Sequence, residues 1–345
     1  MLTVLGENII DLVPTDVAGA TVPAYLAHAG GSPANTAVAA AKLGSAAALI
    51  ARISRDTFGT QIRDRLVNDG VSDRYLVTAS EPSSLAVVSF DAERRASYDF
   101  WLTGTADWQW GDNELPEPLD DDVESLHIGS IAAFLEPGAS TIGRMVRAEA
   151  DRGKVTLSFD PNIRPGIVAG PDGSLDEARA RVEALLGVVD VVKASDEDLA
   201  WLYPAIQAET AAKVWASHGP ALVVVTRGPD GAVAIGRTAT VAVPAPVVDV
   251  VDTVGAGDAF SGALLHAMSQ RGLLGAGGGE RIAALDADGL TYLITVAVTA
   301  SAVTCTRQGA VPPTAQELAA ALNQAQTIWP STKVSANRTS APGRP

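Results

Sequence analysis

The run Asp252-Thr-Val-Gly-Ala-Gly-Asp258 places a carboxylate directly after small residues, and Phe260, Ala263, Leu264, Ala267 and Met268 follow at helical spacing. This pattern predicts a helix that begins at or just after Gly257, with Asp258 in its first turn. Gly255, Ala256 and Gly257 let an anion come close to their backbone amides, and the helix dipole adds roughly half a positive charge at that end. Such a place stabilises the charge of a migrating phosphoryl group, while an adjacent carboxylate takes the proton of an attacking hydroxyl. Taken alone, the same four residues have a plainer use, since aspartate often caps a helix.

Three other places carry groups suited to a polyhydroxylated ligand. Gly30 and Gly31 have no side chains to block close approach, and Asn35 offers both a donor and an acceptor to vicinal hydroxyls, although a turn before a helix would look the same. Asp11, a few residues past the first predicted strand, can accept from two hydroxyls. Asp160-Pro-Asn-Ile-Arg164 follows another predicted strand, where Asn162 can orient a substrate and Arg164 can neutralise phosphate or hold a sugar oxygen. Thr226-Arg-Gly-Pro-Asp-Gly231 reads as a turn after a buried strand, able to set small polar groups near nucleotide phosphates.

These groups need a scaffold. Apolar runs at Leu2–Leu5, Ala47–Ala51, Leu126–Ile131, Val155–Phe159, Val188–Val192 and Ala221–Thr226 alternate with helical segments such as Ala34–Leu43 and Thr141–Ala150. That alternation predicts a doubly wound, mainly parallel α/β sheet with helices on both faces. Residues 9–28 and about 85–110 break the rhythm and predict a small antiparallel sheet beside the main one, either a lid over the site or an ordinary edge hairpin. Gly272–Gly279 reads as an exposed loop. Residues 1–330 are expected to form one domain, and 331–345, poor in residues to bury, a disordered tail.

Composition narrows the class. Of 345 residues, 47% are hydrophobic, yet no apolar run nears the roughly 20 that span a bilayer, and the N-terminus lacks the features of a secretory signal, so a cytoplasmic protein is expected. A net charge of −15 disfavours nucleic acid and anionic membranes as partners. The single cysteine, Cys305, allows no internal disulfide, and four scattered histidines suggest no zinc site. No GxxxxGK[ST] run is present, which excludes a P-loop kinase, and the glycine pair at Gly30 lacks the GxGxxG order of a dinucleotide-dependent oxidoreductase.

The segment from Asp252 to Leu265 closely resembles the C-terminal signature of the ribokinase/PfkB carbohydrate kinases. Gly30-Gly-Ser-Pro-Ala-Asn35-Thr-Ala, Leu43-Gly44 and Asp56-Thr-Phe-Gly59 resemble their N-terminal one. The resemblance implies a ribokinase-like fold, Asp258 as catalytic base, the amides before it as an anion hole, and Asp11, Gly30, Gly31 and Asn35 at the sugar. It implies ATP and Mg²⁺, with the nucleotide at Thr226, Gly228 and Gly231. Lys193, Ser195 and Asp198 occupy the stretch where many relatives carry Asn-x-x-Glu, which acts at the nucleotide and, through water, at magnesium. Serine and the shorter aspartate depart from that pattern. Activation by K⁺ is a family trait, implied for the Asp252 and Val254 region and for Thr304, Arg307 and Gly309, although Pro313 stands where some relatives have a serine ligand. Ser54 replaces a usual glycine.

Within the family, Tyr98-Asp-Phe-Trp101, Gly104-Thr-Ala-Asp107, Leu126-His-Ile-Gly-Ser130 and Val192-Lys-Ala-Ser-Asp-Glu-Asp198 look most like bacterial fructokinases, as does Asp160–Arg164, which is also similar to 2-keto-3-deoxygluconate kinases. The resemblance runs from Val4 to about Leu318. Fructose is therefore the expected acceptor, with 2-keto-3-deoxygluconate, ribose, a nucleoside or a non-catalytic sugar sensor as alternatives. Relatives commonly pair through the lid, so a homodimer is the corresponding expectation.

Overall fold

A computed structural model describes residues 1–15, 22–90, 96–111, 113–168 and 174–328. The expected tail 331–345, and residues 16–21 and 91–95 of the expected lid segments, lie outside the described residues. The first strand, β1 (Leu2–Leu5), is followed by β2 (Ile9–Thr15), β3 (Ala24–Gly30), α1 (Ser32–Lys42), β4 (Ala47–Ser54) and α2 (Thr57–Asn68). Next come the short β5 (Val71–Ser72) and β6 (Leu76–Ala79), then β7 (Ser84–Phe90), β8 (Ala96–Trp101), β9 (Ser125–Gly129), α3 (Gly138–Arg152), β10 (Thr156–Asp160), α4 (Pro165–Val168) and α5 (Leu175–Leu186). The remainder is β11 (Val191–Ser195), α6 (Asp196–Leu202), α7 (Ala208–Ala216), β12 (Leu222–Thr226), β13 (Ala232–Gly236), β14 (Thr240–Val243), α8 (Ala256–Gln270), α9 (Gly278–Ala283), α10 (Ala287–Cys305) and α11 (Ala315–Ile328).

The main sheet runs β14-β13-β12-β11-β10-β9-β1-β4-β5, with β6 also beside β4; only β13 and β14 are antiparallel to their neighbours. The chain builds from β1 to β4 on one side and then returns to place β9 on the other side of β1. Strand order reverses there, which opens a crevice at the carboxyl ends of these strands. Burial on both faces explains the unbroken apolar character of strands such as Leu222–Thr226. In β1, Leu2 packs in the cluster with α8 and α10, and Leu5 in the cluster with α3, α5 and α7. The sheet is doubly wound, as the alternating pattern predicts.

The α10 helix is long and apolar enough to cross a membrane by composition, but most of it is buried. It lies in the core beside α8, where Leu290, Leu293 and Ile294 are fully enclosed.

Beside the main sheet stands a four-stranded sheet, β3-β2-β7-β8. Its outer pairs are antiparallel, but the central pair, β2 with β7, is parallel, which corrects the expected all-antiparallel lid. Three other departures from the sequence pattern have a visible physical reason. The strand expected at Val188–Val192 begins at Val191, because the amides of Val188 and Val189 both bond to the Leu185 carbonyl and finish the turn after α5. The strand expected at Leu126–Ile131 stops at Gly129, where Ser130 turns at φ 56° into a short 3₁₀ turn. Finally, Gly272–Gly279 is an exposed loop only in part: Gly272, Ala276 and Gly277 are exposed between α8 and α9, but Leu273 and Leu274 are buried and Gly278 opens α9 against Thr156.

Candidate active site

Two helices set the centre. Gly262 on α8 packs against α1 so closely that a Cβ there would stand 2.7 Å from the Ala39 Cβ and 2.8 Å from the Thr36 carbonyl. This close crossing brings the first turns of both helices together. From α1, Ser32 Oγ donates to Asp258 Oδ1 at 2.7 Å and Asn35 Nδ2 donates to Asp258 Oδ2 at 2.9 Å. Burial pushes the Asp258 carboxyl above its ordinary range; the Ser32 and Asn35 bonds and the Lys193 charge oppose that rise, and Asp160 adds to it.

The helix begins one residue earlier than the spacing predicts, at Ala256, with Gly255 as its N-cap at φ 75°. The Ala256 amide bonds to the Thr253 carbonyl at 3.2 Å. No side chain caps the helix, and the amides of Gly257 and Asp258 lie within the first turn, where no intrahelical carbonyl is in reach. The anion hole therefore centres on Gly257 and Asp258 rather than on Gly255 to Gly257. Gly255 serves by close packing, since a Cβ there would stand 2.5 Å from the Ala310 Cβ.

Lys193 lies against this helix start, with its Nζ 3.1 Å from where a Cβ on Gly257 would be. It pairs with Asp160 Oδ2 at 2.8 Å, both side chains being buried. Burial alone would depress the Lys193 ammonium, but the carboxylates of Asp160, Asp198 and Asp258 together outweigh it and hold the group above its usual range. Asp160 Oδ1 is buried without a partner among the described residues. A cation kept charged beside two free amides is suited to a phosphate.

Ser195 and Asp198 form a reciprocal cap at the start of α6: Asp198 N donates to Ser195 Oγ at 3.0 Å, and Asp198 Oδ2 accepts from Ser195 N at 2.9 Å. Asp198 Oδ1 accepts from Ile163 N at 2.8 Å. Both oxygens are thus engaged in fixing the Asp160–Arg164 turn, in which Asn162 adopts φ 40°. Asn162 Nδ2 lies 3.4 Å from Ser130 Oγ, and Arg164 is exposed, with its guanidinium 3.1 Å from the Ile163 carbonyl.

A cleft of about 870 Å³ lies between the small sheet and the loops before α8 and after α10. Asp11, Gly30, Asn35, Arg65 and Tyr98 line one side, and Asp252, Thr253, Val254 and Gly309 the other. A Cβ on Gly30 would overlap the Asp11 carboxylate, and one on Gly31, at φ 100°, would stand 2.5 Å from the Glu7 carbonyl. Burial raises the Asp11 carboxyl to about 6; Arg65 opposes the rise, Asp258 adds to it, and Arg164 opposes it. The mutual influence of Asp11, Asp258, Arg65 and Arg164 gathers three of the sequence-derived candidates around one space.

In the turn expected to meet a nucleotide, Thr226 ends β12, with its hydroxyl 3.5 Å from the Ala194 carbonyl, and the Gly228–Asp230 turn follows. Gly228, at φ 50°, faces open space, whereas a Cβ on Gly231 would overlap the Val243 carbonyl. Asp252 accepts from Val254 N at 3.0 Å and from Gly309 N at 2.8 Å, tying together the two loops assigned to a monovalent cation. Thr304 Oγ1 bonds to Ala300 O inside α10, and the Arg307 guanidinium pairs with Glu317 at 2.6 Å. Among the described residues no three His, Cys, Asp or Glu side chains form a metal cluster.

Three contributors escaped the motif reading. Ser32 sits inside the glycine-containing signature but gives no signal separable from a helix start. Arg65 lies two turns into α2 and reaches Asn35 only through packing. Asp160 opens the Asp160–Arg164 run without a role of its own in the pattern, whereas in the structure it holds Lys193.

Comparison with known proteins identifies the family. Residues 1–317 match the family described as pfkB family carbohydrate kinase. A fructokinase of Rhizobium leguminosarum bv. trifolii is 34% identical over 274 residues, 79% of this chain and 81% of the relative. Among solved structures, the fructokinase with bound ATP from Xylella fastidiosa superposes with a TM-score of 0.84 at 28% identity, covering 94% of this chain and 99% of that one. A fructokinase from Vibrio cholerae O395 bound to fructose, ADP and calcium ion gives a TM-score of 0.75 at 28% identity, covering 94% and 97%. The match of residues 1–317 to the family model, with a relative 34% identical over most of both chains, makes this chain a member of the pfkB family of carbohydrate kinases.

Proposed function

We propose that the protein transfers the γ-phosphoryl group of ATP to a hydroxyl of fructose, giving fructose 6-phosphate. One observation carries the chemistry: the Asp258 carboxylate stands beside the free amides of Gly257 and Asp258, with Lys193 behind them and Asn35 across from it. The attacking hydroxyl passes its proton to Asp258, its oxygen bonds to the γ-phosphorus, and the bond to the β-phosphate oxygen breaks to leave ADP. The amides and Lys193 take up the charge of the transferring group. Asp11 and Asn35 would orient the sugar, aided by Gly30 and Gly31, which leave room for it. Arg164 and Asn162, at the mouth of the site, would steady the phosphate or the sugar, and Thr226, Gly228 and Gly231 the nucleotide.

Mg²⁺ would neutralise phosphate charge when bound. With Asp198 engaged by Ser195 and Ile163, the donor set fits an ion held by the nucleotide phosphates and water. K⁺ would require the backbone carbonyls near Asp252, Val254, Thr304, Arg307 and Gly309. ATP as donor and a lone cysteine, Cys305, accord with a cytoplasmic setting.

Fructose is favoured because the relatives named above are fructokinases. The test is ADP release on a panel of fructose, 2-keto-3-deoxygluconate, ribose and nucleosides, with the phosphorylated position read by NMR. Fructose should give the highest kcat/KM and a 6-phosphate product; preference for another acceptor would replace fructose without touching the assigned chemistry.

A further inference from the structure

Arg65 is unaccounted for by the reaction as described, yet it reaches into the centre of the site. From the last turn of α2, its Nη2 donates to Asn35 Oδ1 at 2.8 Å and its Nη1 donates to the Ala29 carbonyl. Its Nε lies 3.7 Å from Asp69 one turn on, and Asp69 also pairs with Lys42 at 2.7 Å. Asn35 in turn donates through Nδ2 to Asp258.

An amide side chain is almost symmetric in shape but not in chemistry: one end only accepts and the other only donates. Here it is held between a guanidinium that can only donate and a carboxylate that, when ionised, can only accept. That sandwich permits one orientation. Without Arg65 the amide is free to turn its oxygen toward Asp258, replacing an attraction by a repulsion.

We propose that Arg65 is a positioning residue of the transfer site: by clamping Asn35 Oδ1 it aims the amide NH₂ at Asp258 and keeps that carboxylate in its ionised, proton-accepting form. The second lone pair of Asn35 Oδ1 and the second hydrogen of Nδ2 remain for the sugar, so Arg65 also fixes which face of Asn35 donates and which accepts. The assignment rests on Asp258 being the base. The groups that bear on Asp258 are Ser32 and Asn35 of α1, Lys193 of β11, Asp160 of β10, Arg65 of α2 and Asp11 of β2.

The test compares the pH dependence of kcat, at saturating sugar and MgATP, for wild type, Arg65→Met, Arg65→Lys, Asp258→Asn and Arg63→Met. Arg63 is a half-buried arginine on the same helix that bonds only to Thr78 among the described contacts. Loss of Arg65 raises the proton affinity of Asp258, so the acid limb of the Arg65→Met profile should move up by about one pH unit. Its kcat should fall about tenfold below the midpoint and recover at alkaline pH. Arg65→Lys, which keeps charge and one donor, should lie between, and Arg63→Met should match wild type.

An unshifted limb in a cooperatively melting Arg65→Met protein overturns the proposal, as does a loss that is equal at every pH and not relieved by lysine. If Arg65→Met does not melt cooperatively, Arg65→Gln, which keeps a donor and removes the charge, is read in its place, and a wild-type limb there overturns it equally. Full turnover in Asp258→Asn would sink the base assignment itself, whereas a dead Asp258→Asn beside an unshifted Arg65→Met sinks only the role of Arg65.

Discussion

At the scale of single residues, the site works by enclosing a charge and then supplying it with donors. Asp258 is buried, which favours its neutral form, and Ser32, Asn35 and Lys193 partly restore the charged one. Because its proton affinity stays raised, kcat should decline as pH falls through a value above the ordinary carboxylate range, and a rate profile should place that limb directly. Asp258→Asn should lower kcat by roughly 10²–10⁴-fold, the range of a positioned general base, with little change in sugar affinity measured by calorimetry. Asp258 was legible in the sequence because its evidence is local: small residues, a carboxylate and an apolar helical period in one run. Arg65 was not, because its partners, Ala29 and Asn35, come from other elements and meet it only in the packed structure. Asp198 shows the converse: a carboxylate in a motif-like place whose oxygens are taken up by Ser195 and Ile163.

At the scale of elements, the decisive contact is the crossing of α1 and α8. Gly262 is the point of closest approach, and its environment is backbone and Ala39 rather than flexible side-chain ends. Gly262→Val should therefore part the helices, cost about 1–3 kcal/mol as overpacking does, and separate Asn35 from Asp258. Denaturant unfolding should show the stability loss, and kcat should drop more than the folded fraction does; a stable, fully active variant would refute this account of the crossing. The alternation of strands and helices was readable because each element buries its own apolar pattern. The parallel pairing of β2 with β7 was not, since Ile9–Leu12 and Ser84–Val87 are distant in sequence and no turn fixes their direction. The displaced start of β11 has a similar cause: Val188 and Val189 look like strand residues, but their amides are claimed by the end of α5.

At the scale of the whole molecule, two carboxylates away from the reaction couple stability to pH. Glu7 is enclosed, and burial raises it from 4.5 to about 7; its Oε2 accepts from Ala132 N at 3.1 Å. Asp107, also raised by burial, reaches about 6. A carboxyl with a raised native value favours the fold most below its unfolded value, so this contribution is lost as pH climbs from about 4.5 to about 7 for Glu7. Glu7→Gln should remove that loss, raising stability at pH 8 by up to about 3 kcal/mol and little at pH 4.5, as read by thermal unfolding at both values. Equal effects at both would contradict the linkage. The alternating architecture and the Asp252–Asp258 run were legible early, whereas the walls of the cleft were not, because Asp11, Arg65 and Tyr98 come together there from three separate elements.

The most direct test of the central claim follows ³²P from γ-labelled ATP into fructose, with wild-type protein and Asp258→Asn side by side. The account predicts labelled fructose 6-phosphate with the first and at least a hundredfold slower transfer with the second, as expected for loss of a general base. Transfer at the wild-type rate by Asp258→Asn would contradict it.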